Sequence, residues 1–521
     1  MVFNRTENAK RNIVWGFSNK IISMIIPFVM RTIIIYTLGN LYLGLSSLFT
    51  SILNALNLAE LGIGSAMVFA MYKPVADNDR AKLKALMSLY RNAYLIIGCI
   101  VLGLGIVIVP FLPQLINGAI PSGVNLYIIY IIQLLTTSFG YFFMAYKASL
   151  FIAFQRTDIT SKIQLSSEIV MYAIQIIALV IFKNYYFYVI AALVRVVIYN
   201  LLIGILTDKK FPDLKAEGRV SKEDEKLIFV KTGALLGHKV AAVIINSVDN
   251  IFISMYIGLG MVAIYNNYYY VITAVSGVFL MLLNGLNSIV GNYLIEESKE
   301  KITKLFYTIH YITSFIICIC CACFLNLYQP FITLWVGKES LLDTSSVILF
   351  VLCFFSIRIR TTGTLFEDSE GLWEKDVIKS YVMVGIDLVI DIILLRSIGI
   401  NGALISTIAT MVFAFFYESV ILHKYCIAAK QKRYLLSTLI YSVATALSCF
   451  VTYYCCSLFN FYGIMALLTN LIVSVLLSAI IFGLITFNLK EFNDGILFMQ
   501  RVVPLPIRKI LRLIPHSSKP L

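Results

Sequence analysis

The sequence predicts an all-α polytopic membrane protein with about fourteen transmembrane helices. They fall into two six-helix lobes related by a parallel pseudo-twofold repeat, followed by two extra C-terminal helices. Three observations predict this. The chain has 521 residues, 60% hydrophobic and 13% charged, with a mean hydropathy of +0.87, a composition no soluble domain shares. Apolar stretches of about twenty residues, each long enough to cross a bilayer, recur along its length. The third observation is an internal duplication at a constant offset of 219 residues. Lys20 falls on Lys239, Gly39 on Gly258, Asp77 on Glu296, Arg80 on Lys299, Ser161 on Ser380 and Glu168 on Asp387. Apolar helices align with almost anything, so the charged and glycine matches carry this reading.

The first stretch, Asn12 to Asn40, is apolar enough to span, yet it holds Lys20 and Arg31. Eleven residues is about three helical turns, so both cations share a face. A lipid-facing cation at the bilayer centre costs about 2.5–3.5 kcal/mol on insertion scales. That face is therefore expected to meet water or an anion. In the second copy Arg31 becomes Asn250, so the cationic face belongs mainly to the first half.

The spans are expected near 13–38, 42–72, 92–113, 126–146, 163–182 and 185–206, which gives a first lobe over 1–206. A charged linker fills 207–228. The second lobe, 229–425, has spans near 229–256, 262–291, 304–327, 342–359, 378–396 and 400–422. Two additional helices, near 434–457 and 461–488, occupy 426–490. The remaining 491–521 forms a basic amphipathic tail, in which Arg508, Lys509 and Arg512 alternate with Ile507, Ile510, Leu511 and Leu513. Such a segment suits an anionic leaflet surface.

The net charge of +14 does not indicate nucleic acid, because the basic residues cluster in alternate loops. Clusters at Arg5–Arg11, Lys73–Arg91, Lys147–Lys162, Lys209–Lys231, Lys299–Lys304, Arg358–Lys379 and Lys424–Arg433 place those loops, and both termini, in the cytoplasm. The first apolar segment is too long and too charged for a cleavable signal peptide. Of the ten cysteines, Cys318, Cys320, Cys321 and Cys323 lie in one apolar run and Cys455 and Cys456 in another. They read as small packing residues; neither a metal site nor a cofactor is expected.

Polar groups inside spans are the functional candidates. Lys20, Arg31 and Lys239 are candidate contacts for an anionic substrate. Asn57, Glu60, Asn246, Asn250, Asn266 and Asn267 are candidate polar contacts for sugar or cavity water, and Asp249 and Asp387 candidates for ion coupling. Each has a structural alternative. Asparagines commonly bond a neighbouring helix. Lys20, Arg358 and Arg360 lie near span ends, where they can snorkel. Glu168 and Arg195 sit at comparable depth on two arms of a hairpin and are expected to form a structural ion pair. Enzyme signatures are absent: the four histidines are scattered, and there is no G-x-S-x-G, H-E-x-x-H or Walker motif.

The opening N-x-x-W-G…K…P-F…R-T…Y-T-L-G-x-x-Y-L-G-L, Asn12 to Leu45, begins a set of looser motifs. Leu56 to Ala66 reads L-N-L-A-E-L-G-I-G-S-A, followed by Tyr72-Lys73-Pro74; A-F-Q-R lies at Ala153 to Arg156 and I-G-I-N-G-A at Ile398 to Ala403. In these the chain resembles Wzx-type lipid-linked oligosaccharide flippases of the multidrug/oligosaccharidyl-lipid/polysaccharide exporter superfamily. The resemblance implies two six-helix lobes around a central cavity. It implies transfer of an undecaprenyl-pyrophosphate-linked oligosaccharide to the outer leaflet of a bacterial plasma membrane. The implied partners are that lipid-linked oligosaccharide, membrane lipids and the polysaccharide polymerase machinery, and no nucleic acid. Two alternatives remain. A cation-coupled multidrug exporter of the same superfamily suits Lys20 and Arg31 poorly, and a membrane polysaccharide polymerase lacks the large outer loop it would need.

The charge asymmetry fixes a testable topology. Cysteines placed at Lys215 and Ser517 are expected to resist a membrane-impermeant maleimide in intact cells and to react after permeabilisation. Labelling of either from outside would reverse the orientation.

Overall fold

The computed structural model describes residues 5–60, 62–459 and 461–502. All regular structure among them is helical, and they form two compact units, Met1–Asn266 and Asn267–Leu521.

The first unit contains α1 (Arg5–Thr37), α2 (Asn40–Leu56), α3 (Ile63–Ala76), α4 (Arg80–Ile108), α5 (Leu126–Phe142), the short α6 (Ala148–Ala153), α7 (Thr157–Val180), α8 (Tyr185–Lys210) and α9 (Lys222–Tyr256). The boundary falls inside α10 (Leu259–Asn284). Helix α1 packs on α7, α7 on α8, and α5 between α4 and α8, while α9 lies against α2 and α3. The start of α1 is fastened to the α6–α7 turn: Asn12 Nδ2 donates to the Gln155 carbonyl (3.1 Å), and Asn12 Oδ1 accepts from the Asp158 amide (2.8 Å). Lys162 covers the Trp15 ring at 4.8 Å. The N-x-x-W and A-F-Q-R segments, far apart in sequence, thus form one tie.

The second unit continues with α11 (Asn287–Glu296), α12 (Lys299–Val336), α13 (Thr344–Ile359), α14 (Thr361–Glu370), α15 (Trp373–Ile398), α16 (Ile400–Tyr425), α17 (Gln431–Ser457), α18 (Gly463–Thr486) and α19 (Lys490–Val502). Helices α15 and α16 form a close hairpin, while α17 and α18 pack on each other and on α12. Asn326 of α12 joins those three: its Nδ2 reaches Thr452 Oγ1 (3.1 Å) and Ser474 Oγ (3.0 Å), and its carbonyl accepts from Asn470 (3.2 Å). The last helix lies on α12, burying Phe492 and Ile496 beside Tyr311 and pairing Asp494 with Lys304 at 3.0 Å. The expected basic segment Ile507–Leu513 lies outside the described residues.

Nine helices or helix pairs among the described residues are long and apolar enough to span a bilayer, and ten if the bent α5–α6 pair counts as one. Their outer faces agree. On α18, Leu468, Ile472, Leu476, Ile480 and Leu484 form an exposed i, i+4 stripe, while Ser474 and Ser478 face inward, fully buried. Apolar surface so extensive is sustained by lipid, not water.

Helix boundaries also recur at the 219-residue offset. Thr37 and Tyr256 each end a helix, Gly39 and Gly258 follow with φ of +100° and +125°, and Asn40 and Leu259 start the next; Arg80 and Lys299 begin the long helices α4 and α12. Only glycine adopts such positive φ without strain. A different glycine serves close approach: a Cβ on Gly402 would stand 2.6 Å from the Leu394 and Leu395 backbone across the α15–α16 hairpin. Gly402→Val is therefore expected to lower the stability of the detergent-purified protein by about 1–3 kcal/mol, the usual cost of overpacking, read as a drop in melting temperature. An unchanged melt would show that the hairpin can open.

Candidate functional site

Most of the candidate residues lie in the first unit, and two of them, Asn57 and Glu60, sit at the break between α2 and α3. A 3-10 turn, Asn57–Glu60, separates those helices. Glu60 is held there by tyrosines. Tyr94 donates to its Oε1 at 2.8 Å and Tyr141 to its Oε2 at 2.6 Å. Tyr90 donates to Tyr94 at 2.8 Å, and the Tyr141 hydroxyl also stands 3.1 Å from Asn57 Oδ1. Tyr90 and Tyr94 are four residues apart on one face of α4, with ring centroids 4.5 Å apart; Tyr141 meets Tyr94 edge-on at 5.4 Å. No Lys or Arg among the described residues is within ion-pair distance of Glu60. Hydroxyl donors supply its hydrogen bonds, and in low dielectric such charge-assisted bonds are strong.

A second polar chain stitches α2, α9 and α10. Asn266 Nδ2 donates to Asn250 Oδ1 (2.7 Å), and Asn250 Nδ2 donates to Ser51 Oγ (2.9 Å). Tyr265 donates to Asp249 Oδ2 at 2.7 Å. Asn246 donates to the Ala242 carbonyl of its own helix (2.6 Å). Asn250 and Asn266 thus bond between helices.

Arg31 is half-buried on α1, beyond Pro27, and close enough to Tyr188 of α8 for its charge to act on that phenol. Lys239 is half-buried where the apolar part of α9, Lys239–Tyr256, begins. The Lys20 side chain lies outside the described residues. The expected Glu168–Arg195 pair is present at 3.8 Å, with Gln164 donating to Glu168 at 3.0 Å.

In the second unit Asn267 is fully buried. Asp387 of α15 is also buried and accepts from Ser406 (3.0 Å) and Thr410 (3.4 Å) of α16. The largest charged cluster there was not among the sequence candidates. Arg360 does not snorkel. It grips Glu418 of α16 with two guanidinium nitrogens, Nε at 3.0 Å from Oε2 and Nη2 on Oε1. Lys379 of α15 reaches the same Oε1 at 2.8 Å and also pairs with Asp376 and Glu367. Glu418, alone within the apolar run Phe413–Leu422, was the available signal.

A family model described as polysaccharide biosynthesis protein matches residues 9–286, more than half of the sequence. The chain belongs to the polysaccharide biosynthesis protein family. It is a multi-pass membrane protein, and its fold is that of the exporter superfamily named above. No curated protein matches it. Among solved structures, the lipid II flippase MurJ in an inward closed conformation is similar with a TM-score of 0.66 and 17% identity, over 92% of this chain and 99% of that chain. An inward-facing multidrug resistance MATE family transporter gives 0.58 at 14%, covering 79% and 98%. The MATE transporter VcmN of Vibrio cholerae gives 0.54 at 14%, covering 80% and 98%.

The tyrosine cage makes a quantitative prediction. Tyr94→Phe and Tyr141→Phe each remove a hydrogen bond to Glu60, and each is expected to destabilise the purified protein by about 1.5–3 kcal/mol. The loss should shrink in a Glu60→Gln background, which a double-mutant cycle measures. Zero coupling energy would show that the tyrosines do not hold the carboxylate.

Proposed function

We propose that the transporter flips an undecaprenyl-pyrophosphate-linked oligosaccharide from the cytoplasmic to the outer leaflet, for cell-surface polysaccharide assembly. The observation that carries this reading is membership of the polysaccharide biosynthesis family. The mechanism is alternating access through a cationic cavity. A lipid pyrophosphate is anionic and must cross a low-dielectric slab, and cations along its path offset the lost hydration. Arg31, Lys20 and Lys239 are the proposed pyrophosphate contacts. Asn57, Glu60, Asn246 and the half-exposed Asn266 are proposed to face sugar or cavity water, and Asp249 and Asp387 to take part in ion coupling.

The architecture proposed for this task has fourteen crossings: α1, α2–α3, α4, α5–α6, α7, α8, α9, α10–α11, α12, α13–α14, α15, α16, α17 and α18, with both termini cytoplasmic. The recurrence of helix boundaries supports two lobes of six. The four crossings beyond the ten spans are α1, α2–α3, α10–α11 and α15. They hold Lys20 and Arg31, Asn57 and Glu60, Asn266 and Asn267, and Asp387.

Arg31→Ala is expected to abolish complementation of a flippase-null strain while the protein reaches the membrane in normal amounts. Arg31→Lys should recover part of the activity, because charge survives and the planar fork that can bind two phosphate oxygens does not. Full activity of Arg31→Ala at normal abundance would remove Arg31 from the mechanism.

A further inference from the structure

The second unit holds five charged side chains in one buried cluster: Arg360 before α14, Glu367 on α14, Asp376 and Lys379 on α15, and Glu418 on α16. Glu367, Asp376, Lys379 and Glu418 are all less than a tenth exposed, and the Arg360 side chain is 12% exposed. Among the described side chains the cluster contains three acids and two bases, so with each of these ionised they carry a net charge of −1. An uncompensated charge is the least tolerable state of a buried ionic network.

The geometry shows which acid the surplus belongs to. Glu418 accepts from Arg360 at both oxygens, with Lys379 at 2.8 Å and Thr364 at 3.4 Å from Oε1. Asp376 lies 2.5 Å from Lys379. Glu367 is the loosely held member: its Oε2 stands 3.5 Å from Lys379, and its Oε1 is buried with no hydrogen-bond partner. A carboxylate oxygen buried without a donor is costly, whereas a protonated carboxyl both removes the surplus charge and gains a donor of its own.

We propose that Glu367 is a proton-binding site, loaded from water and discharged again as the transporter changes conformation. Binding converts its carboxylate to a carboxylic acid and leaves the cluster neutral, with no other bond made or broken. The groups facing it are Arg360 from the end of α13, Asp376 and Lys379 from α15, Glu418 from α16, Cys426 just after α16 and Tyr434 from α17. Proton binding here does not depend on the identity of the transported substrate, so its test is separable from that of the flippase reading.

The experiment is infrared difference spectroscopy of the full-length protein in lipid nanodiscs across a pH series. The expected result is a protonated-carboxyl stretching band near neutral pH, downshifted in heavy water and lost at high pH. Glu367→Gln should remove that band while the protein keeps its melting temperature or gains on it, because glutamine imitates the neutral acid. Glu418→Gln, which leaves two buried bases short of an acid, should instead destabilise. Should Glu367→Gln fail to fold, Glu367→Asp is expected to keep a carboxyl band at a displaced frequency. The proposal is overturned by a band that survives Glu367→Gln, a band unmoved in Glu367→Asp, one that persists at every pH, or no band at all. Loss of the band when choline is replaced by sodium at fixed pH would likewise overturn it, by assigning the site to a metal cation.

Discussion

A charge or polar group carried into a bilayer must find its partners on neighbouring helices, because the hydrocarbon offers none. That constraint shapes both units. Glu60 is surrounded by hydroxyl donors from α4 and α5. Glu418 is met by two cations from flanking helices. Asn326 gives its amide to α17 and α18, so polar contacts fasten those helices where apolar burial against lipid gives no net drive.

The fold was legible because its signals are long-range and redundant. Apolar length marks the spans, and Gly39/Gly258 and Arg80/Lys299 mark the helix boundaries that recur at the 219-residue offset. The glycines show why this works: a positive φ at a helix junction is a backbone requirement, and only one residue type meets it without strain. The sites were legible to a lesser degree. Glu60 stood out as an acid in a span, but its tyrosines did not, since an aromatic at helical spacing looks like any other apolar packing residue. Tyr90, Tyr94 and Tyr141 become donors only once α4, α5 and the turn before α3 are brought together.

The opposite error occurred at Arg360. Position near a span end made solvent the natural partner, whereas Glu418, distant in sequence, is the actual one. Conversely, the Glu168–Arg195 pair could be anticipated, because both residues sit on adjacent arms of one hairpin and local geometry sets their depth. Pairing across non-adjacent helices is what a single sequence conceals. The asparagines make the same point: Asn250 and Asn266 are polar and intramembrane, but their hydrogen bonds go to each other and to Ser51.

The paired helix boundaries keep one frame at an offset of 219 residues. From the end of α1 to the start of α4, and again from the end of α9 to the start of α12, the chain keeps the same frame through a glycine junction and an interrupted helix. Arg31 has no cationic counterpart in that frame, since Asn250 occupies its place. Side-chain chemistry differs between the paired positions where the spacing does not. The connecting segments therefore act as rulers: they tolerate exchange of letters and resist insertion or deletion, because one added residue would rotate every following helical position by about 100°.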